Sequence, residues 1–211
     1  MDWNGFDVLE RYTGELVDEY GLIPGERKEA LDRLAAGIVH ALKGEGSAEI
    51  IFICTHNSRR SHMGQLWAQL ASWSYGVEGI TCFSGGTEVT MFNPLAVKAL
   101  KKAGFRIRIE IPGANAIYRV DYPGAPIDNR SFSKRYTDPP NPPGGFIAVM
   151  TCSDADEACP IVHGASSRHA IQYEDPKAFD GTPGETGGYD RRCREIAREM
   201  FYLLYRVSAS V

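Results

Sequence analysis

Hydrophobic and polar positions alternate along the chain with two different periods, and the first of these is helical. Apolar side chains recur every three or four residues in two opening segments, which predicts two amphipathic helices separated by Pro24-Gly25. The polar, glycine-containing stretch 43–47 ends the pattern, so residues 1–47 form a predicted N-terminal helical extension. The apolar positions are Phe6, Leu9, Tyr12, Leu16 and Tyr20 in the first helix and Leu31, Leu34, Ala35, Ile38 and Leu42 in the second.

From residue 48 onward, short apolar runs alternate with amphipathic stretches, a pattern typical of βα units. We therefore predict an α/β domain over 48–211. Its predicted strands are a run ending at Cys54, then Ile80–Ser84, Phe146–Thr151 and Ala170–Tyr173, and its predicted helices are Ser61–Ser74, Asn93–Lys102 and Tyr189–Val207.

The segment 105–145 interrupts this alternation and is predicted to be an insertion. Polar and apolar residues alternate on both sides of a turn at Pro112-Gly113, which predicts a hairpin or long edge ribbon over Phe105–Tyr122. The stretch Pro123–Gly145 is rich in Pro, Asn and Asp, so we predict a surface loop there. Its length suggests a lid or a partner surface.

Composition narrows the class of protein. The chain has 211 residues, which fits one domain, and its net charge of -4 with no long basic stretch argues against nucleic-acid binding. No apolar run approaches membrane-spanning length, and Met1-Asp2-Trp3 does not begin a signal peptide, so we expect a cytoplasmic protein without membrane contact. Five cysteines, an odd number, argue against a disulfide framework. Their spacing does not suit zinc, and we expect neither a metal nor a cofactor.

Candidate chemistry is concentrated where the first strand ends. Cys54 closes an apolar, β-branched run and is followed by five polar residues, Thr55, His56, Asn57, Ser58 and Arg59, and then by Arg60, Ser61 and a helix. Such a loop turns backbone N–H groups towards one point ahead of a helix N-terminus, which suits a tetrahedral oxyanion. Arg60 adds a planar fork for two anion oxygens. The same surroundings favour the thiolate, so Cys54 is a predicted nucleophile. The alternative is an inert, buried cysteine.

A second pair of cysteines follows the predicted strand Phe146–Thr151. Cys152 stands at that strand end, so we expect it on the same sheet edge as Cys54. If the acidic segment up to Cys159 is helical, the two Cα atoms lie roughly 10 Å apart, whereas a disulfide needs them within about 7 Å. The two thiols can therefore bond only if the helix unwinds, which suits a redox switch. The alternative is two unrelated cysteines on a short buried helix.

A candidate acid lies further along the chain. Glu174-Asp175-Pro176 follows the last predicted strand, on the next loop along the same edge. A carboxylic acid there could reach over an oxyanion and protonate a leaving oxygen, although Asp-Pro is also an ordinary turn dipeptide.

Several ordered motifs resemble the thioredoxin-coupled arsenate reductases, which share the fold of the low-molecular-weight protein tyrosine phosphatases. The resemblance implies a four-stranded parallel sheet flanked by helices. It also implies an oxyanion loop after the first strand of that sheet. The motifs are Cys54 to Met63, Ser84-Gly85-Gly86-Thr87-Glu88, Asn93-Pro94-Leu95-Ala96-Val97, Cys152 through Cys159-Pro160, and Glu174-Asp175-Pro176.

The resemblance also implies a role for each site residue. Cys54 would attack arsenic, Ser61 would support its thiolate, and Asp175 would act as general acid. Cys152 would attack the arsenic adduct and release arsenite, and Cys159 would then leave a Cys152–Cys159 disulfide for thioredoxin to reduce. Two departures stand out: His56 replaces a common glycine, and Gln65 replaces an acidic residue that helps bind potassium in some reductases.

Two other functions stay open at this point. A phosphatase of the same fold would use Cys54, Arg60 and Asp175 on a phosphotyrosine protein without needing a second cysteine pair. Against it, such phosphatases usually carry aromatic residues just after Asp-Pro, whereas Lys177-Ala178-Phe179 follows here and lacks the tyrosine pair. A non-catalytic oxyanion-binding or redox-sensing protein is the third possibility. Cys82 and Cys193 receive no role and are predicted core residues, and His62, His163 and His169 are predicted to be surface or loop residues.

Overall fold

A four-stranded parallel sheet forms the centre of the protein, in the computed structural model that describes residues 3–127, 129–158 and 161–211. Its strand order is β2-β1-β6-β7, which confirms the predicted fold class. The strands are β1 (Ala48–Cys54), β2 (Ile80–Gly86), β3 (Arg106–Ile111), β4 (Ile117–Asp121), β5 (Arg130–Ser131), β6 (Phe146–Met150) and β7 (Ala165–Ala170). The helices are α1 (Asp7–Asp18), α2 (Gly25–Glu45), α3 (Arg60–Ser74), α4 (Pro94–Ala103), α5 (Ser153–Ala158) and α6 (Glu185–Ser208), with 3-10 turns at Glu19–Leu22 and Pro176–Phe179.

The central strand β1 determines where the site lies. Its residues 50–53 are all buried because helices or loops cover both faces of the sheet, as a parallel sheet requires. Strand β1 pairs with β2 up to Cys54↔Gly86 and with β6 up to Ile53↔Met150. The carboxyl ends of three neighbouring strands therefore meet at one edge, beside Cys54.

The helices α1 and α2 are integral to the packing. Their buried leucines Leu9, Leu16, Leu31 and Leu34 belong to the same hydrophobic core as the inner face of β1. Helix α2 contacts α6, β1 and β7, while α1 contacts α4 and α6. The division of the chain at residue 47 stays a prediction, but the helices before it bury their apolar stripes against the α/β core.

The inserted segment contains a second sheet. Strands β3, β4 and β5 are antiparallel in that order, which confirms the predicted hairpin. The prediction of a surface loop over 123–145 is partly wrong, because several of its polar residues are buried against the sheet edge. These buried residues are Asn129, Ser131, Ser133, Lys134 and Asn141. The side chains of Asn129, Ser133 and Asn141 make inward hydrogen bonds that compensate for their burial.

The last strand lies earlier than predicted. Strand β7 spans Ala165–Ala170 instead of 170–173, because its Ala-Ser-Ser-Arg-His-Ala sequence is polar and half-exposed at the sheet edge. Such an edge strand carries little apolar signal. Pairing does continue past it, since the backbone N–H groups of Ile171 and Tyr173 donate to Met150 and Thr151. No helix in the described ranges is both long and apolar enough to cross a lipid bilayer.

Candidate active site

Cys54 lies at the end of β1 with its thiol next to the hydroxyl of Ser61. The Sγ and Oγ atoms are 3.1 Å apart and both residues are buried. The Ser61 hydroxyl also accepts a hydrogen bond from Asn57 Nδ2 at 2.9 Å, which leaves its own proton available for the sulfur. The arrangement can therefore donate a hydrogen bond to a Cys54 thiolate and support it.

The loop between Cys54 and α3 exposes unused donors. None of the backbone N–H groups of residues 55–59 donates to an acceptor within the described part of the chain. Asn57 has a positive φ of 43°, a conformation that asparagine tolerates better than most residues, and this turns the loop. The left-handed position is thus Asn57, and His56 does not adopt a positive φ. Free N–H groups ahead of helix α3 suit an oxyanion.

Ser133 and Lys134 support this loop through hydrogen bonds that the sequence did not predict. The Ser133 hydroxyl donates to the carbonyl of His56 at 2.8 Å, and the backbone N–H of Lys134 donates to Asn57 Oδ1 at 2.9 Å. Lys134 is itself buried, which lowers its pKa to about 8. These contacts come from the segment predicted to be a surface loop. The local sequence pattern does not indicate these contacts, because each bond joins two residues 77 positions apart that only the complete fold brings together.

Gly86 gives the loop its space. A Cβ atom at this position would lie 2.7 Å from the backbone nitrogen of Asn57 and 2.7 Å from the carbonyl oxygen of Thr55. Real side chains do not approach backbone atoms so closely. Position 86 therefore requires glycine because the end of β2 lies directly against the backbone of the loop. This explains one glycine of the Gly85-Gly86 pair.

Arg60 and Asp175 meet across the mouth of the loop. Arg60 donates from Nη2 to Asp175 Oδ2 at 2.7 Å and from Nη1 to the carbonyl of Tyr173 at 2.8 Å. Its Nε–H is buried and has no hydrogen-bond partner among the described residues. A buried, unpaired donor is costly, so this N–H is available to an incoming anion oxygen. The structure thus brings together the predicted fork and the predicted acid.

Arg59 has a different environment from the other loop residues. Its side chain is largely buried and its Nε donates to the hydroxyl of Tyr189 at 2.8 Å. It also lies 3.8 Å from Asp175 and 3.6 Å from Asp180. Arg59 was predicted as an oxyanion ligand through its backbone, whereas Tyr189 and Asp180 were not predicted as site residues at all.

The predicted second thiol reaches the rim of the loop. Cys152 follows β6, is fully buried, and its sulfur lies 3.6 Å from the hydroxyl oxygen of Thr55. Helix α5 starts directly after it, at Ser153, as the acidic residues predict, and the backbone N–H of Ala155 donates to the Cys152 sulfur at 3.4 Å. Cys159 lies outside the described residues.

Three further side chains belong to the core. Cys82 and Cys193 are buried as predicted, and burial raises the pKa of both thiols, that of Cys193 to about 12. The prediction of a surface position for His62 is wrong: its ring is fully buried and stacks on Phe92 with 4.0 Å between ring centroids. Burial and the nearby Lys134 hold the pKa of His62 well below its usual value, so the imidazole is neutral.

A cavity of about 280 Å³ opens beside the loop. Its lining includes the polar residues His56, Ser58, Arg59, Asn93 and Lys177. Arg59 and Lys177 place positive charge in the cavity wall, which attracts anions. The cavity gives the loop an approach route from solvent.

Comparisons with known proteins show similarity in sequence and in fold. No protein-family model matches the chain. It is 27% identical over 146 residues to the arsenate reductase of Bacillus licheniformis and 29% identical over 146 residues to that of Bacillus subtilis; each match covers 69% of this chain and 86% of the relative. The crystal structure of a YwlE mutant from Bacillus subtilis superimposes with a TM-score of 0.53 at 15% identity, over 76% of this chain and 99% of that chain, which shows the fold.

The chain is therefore similar in sequence to curated arsenate reductases and shares the fold of the YwlE structure. The role of the loop 54–61 as an oxyanion-binding element stays a prediction. Tyr189 and Asp180, which contact Arg59 of this loop, were not predicted from the sequence.

Proposed function

We propose that this protein reduces arsenate to arsenite through a relay of Cys54, Cys152 and Cys159. The observation that carries the proposal is the position of Cys152, whose sulfur lies 3.6 Å from Thr55 Oγ1 in the oxyanion loop. A phosphatase needs no second thiol there. The names of the relatives, arsenate reductases from two Bacillus species, support the same reaction.

The first step is attack of the Cys54 thiolate on arsenic(V). Ser61 supports the thiolate, and Arg60 and the free N–H groups of residues 55–59 bind the arsenate oxygens. Asp175, after its carboxylate has taken up a proton in the arsenate complex, donates that proton to the departing hydroxyl, which leaves as water. The product is a Cys54–arsenic(V) thioester-like adduct with no change in oxidation state.

The second step transfers the electrons. The Cys152 thiolate attacks the Cys54 sulfur, the sulfur–arsenic bond breaks, and its electron pair leaves with arsenic as arsenite. Two thiols are oxidised to one Cys54–Cys152 disulfide while arsenic(V) becomes arsenic(III), so two electrons balance. Both cysteines follow neighbouring strands at one sheet edge, which favours this exchange.

The third step restores Cys54. Cys159 attacks Cys152, which releases the Cys54 thiolate and leaves a Cys152–Cys159 disulfide for thioredoxin. Helix α5 occupies residues 153–158, and a disulfide across seven residues requires Cα atoms closer than a helix allows. The helix must therefore unwind during each cycle, which would also carry the buried Cys152 towards a reductant.

The test is arsenate-dependent oxidation of NADPH in the presence of thioredoxin and thioredoxin reductase. We expect turnover in the native chain and none in Cys152→Ser or Cys159→Ser, because each variant lacks one thiol of the relay. Cys82→Ala is the matched control, since this buried cysteine has no role in the proposal. Normal turnover in Cys159→Ser would contradict the relay.

The second candidate is a protein tyrosine phosphatase. The hydrogen bond between Asp175 and Arg60 favours it, because it holds a carboxyl group beside the oxyanion fork, where a phenolate leaving group needs a proton. Hydrolysis of an aryl phosphate that survives in Cys152→Ser and disappears in Cys54→Ser, without arsenate turnover, would establish this function. Absence of both activities, with phosphate binding retained, would favour a non-catalytic oxyanion sensor.

A further inference from the structure

Asp175 lies between two guanidinium groups, and only one of them bonds to it. Arg60 Nη2 donates to Oδ2 at 2.7 Å, whereas Arg59 Nε lies 3.8 Å from Oδ1, beyond hydrogen-bond distance. The backbone N–H of Lys177 donates to the same Oδ1 at 3.0 Å. In the ligand-free protein the candidate acid is therefore the counter-ion of the arginine that the oxyanion also requires.

Arg59 has two other partners, Tyr189 and Asp180, which hold it away from Asp175. Its single Nε–H is committed to the Tyr189 hydroxyl at 2.8 Å, and that hydroxyl donates to Asp180 Oδ1 at 2.8 Å. Asp180 Oδ2 also lies 3.6 Å from Arg59 Nη2. Burial and the adjacent Asp180 raise the pKa of Tyr189 to about 12, so this hydroxyl keeps its proton and the chain of bonds is fixed at neutral pH.

A dianion in the loop changes this balance. It competes with the Asp175 carboxylate for the Arg60 fork and repels that carboxylate at short range. The nearest other cation is Arg59, about an ångström beyond bonding distance. Moving Asp175 towards it would free Arg60 for the oxyanion while leaving the carboxylate with a charged partner.

We propose that Arg59, held in place by Tyr189 and Asp180, receives the Asp175 carboxylate when an oxyanion takes Arg60. Tyr189 and Asp180 are then positioning residues of the site. They act through Arg59 and set how strongly Asp175 competes with the oxyanion. The inference rests on the proposed oxyanion site but holds for arsenate reduction and phosphate-ester hydrolysis alike.

The experiment is a double-mutant cycle on the affinity for inorganic phosphate, measured by isothermal titration calorimetry at fixed pH and ionic strength. Asp175→Asn removes the competitor and is expected to bind phosphate about tenfold more tightly. Arg59→Gln removes the alternative partner and should weaken binding about tenfold in the native background, but by threefold or less with Asp175→Asn, where only its direct attraction for phosphate is lost.

Tyr189→Phe gives the opposite sign. Without the tyrosine hydroxyl, Arg59 Nε–H is free to bond to Asp175 Oδ1, which lies 3.8 Å away, so Arg60 is released before phosphate arrives. Phosphate affinity should rise about threefold, and this gain should vanish with Asp175→Asn. Tyr205→Phe, at an exposed position of the same helix, is the matched control and should change nothing.

The outcomes separate the inference from the proposed function. Effects of Arg59→Gln and Tyr189→Phe that are equal in both backgrounds would overturn the transfer of Asp175 while leaving the oxyanion site intact, and so would weaker binding by folded Tyr189→Phe. A native chain that binds no phosphate would overturn both. Because Tyr189→Phe retains the ring and its packing, the test does not depend on Arg59→Gln folding normally.

Discussion

At the scale of single residues, burial decides which side chains of this site can change their charge. His62 directly follows Ser61, yet its ring is enclosed between Phe92 and the sheet and its Nδ1 lies 3.3 Å from the Ser84 hydroxyl. Its environment penalises the imidazolium form. A histidine one residue from the candidate site is thus a packing residue there and no general base.

This burial predicts a pH-dependent stability. The pKa of His62 is lowered on folding. The free energy of unfolding is therefore at its full value above the unfolded pKa of about 6.5. It falls as the pH decreases below that value, by up to about 1.4 kcal/mol per pH unit. Urea unfolding of the native chain between pH 7 and pH 5 should show this loss. His62→Gln should show a flatter profile, and equal slopes for the two proteins would contradict the prediction.

Some site residues could be predicted from sequence and others could not, for a physical reason. Cys54, Arg60 and Ser61 are neighbours in the chain, and a strand-loop-helix pattern is sufficient to indicate their convergence. Tyr189 and Asp180 reach Arg59 from the far end of the chain, through helix α6 and the loop before it. No local periodicity encodes such a contact, because it exists only once the sheet and α6 are assembled.

At the scale of elements, the close approach of β2 to the oxyanion loop leads to a second prediction. Gly86→Ala would force a Cβ against the backbone of Asn57 and Thr55, so the loop must shift. We expect phosphate affinity to fall at least about tenfold, since the loop's N–H groups lose their convergence. Gly113→Ala is the control, because nothing lies within 4 Å of its added Cβ. Native affinity in Gly86→Ala would disprove this account of the glycine.

Helix α5 carries a third prediction. Asp156 anchors the helix to β7 and to the segment after β7. Its carboxylate accepts one hydrogen bond from Arg168 of β7 and another from Gln172 Nε2 at 2.7 Å. Removing these bonds should ease unwinding. With about 1 kcal/mol lost, Asp156→Ala should form the proposed Cys152–Cys159 disulfide about fivefold faster under diamide, as followed by mass spectrometry.

The matched control for this helix is Asp154→Ala. Asp154 is exposed and contacts only the adjacent Ser153 hydroxyl among its hydrogen bonds in the described residues, so the rate should stay near that of the native chain. Equal acceleration in both variants would attribute the effect to the loss of acidic charge near the thiols. The anchoring role of Asp156 would then be wrong.

At the scale of the whole molecule, the N-terminal helices are joined to the site by a buried ion pair. Arg27 of α2 donates from Nε to Glu199 of α6 at 2.9 Å, and its guanidinium lies over the ring of Tyr173, 4.5 Å from the centroid. The carbonyl of Tyr173 in turn accepts a hydrogen bond from Arg60. Helical periodicity predicted α2 correctly, but a single arginine on its polar face gave no sign of this link.

The ion pair leads to a prediction about stability and pH. Burial raises the pKa of Glu199, and Arg27 offsets this, so Arg27→Met leaves a buried carboxylate without its cation. Breaking one side of a buried pair costs about 3–5 kcal/mol. Because a carboxyl with a raised pKa destabilises the fold as the pH rises above the unfolded value of about 4.3, this cost should be largest at pH 7 and smaller near pH 5. Urea unfolding at both pH values measures this cost.

Arg27→Met with Glu199→Gln should regain most of the loss at pH 7, since no buried charge is left unpaired. A cost that is equal at the two pH values, or unrelieved in the double variant, would assign the role of Arg27 to packing on Tyr173 alone.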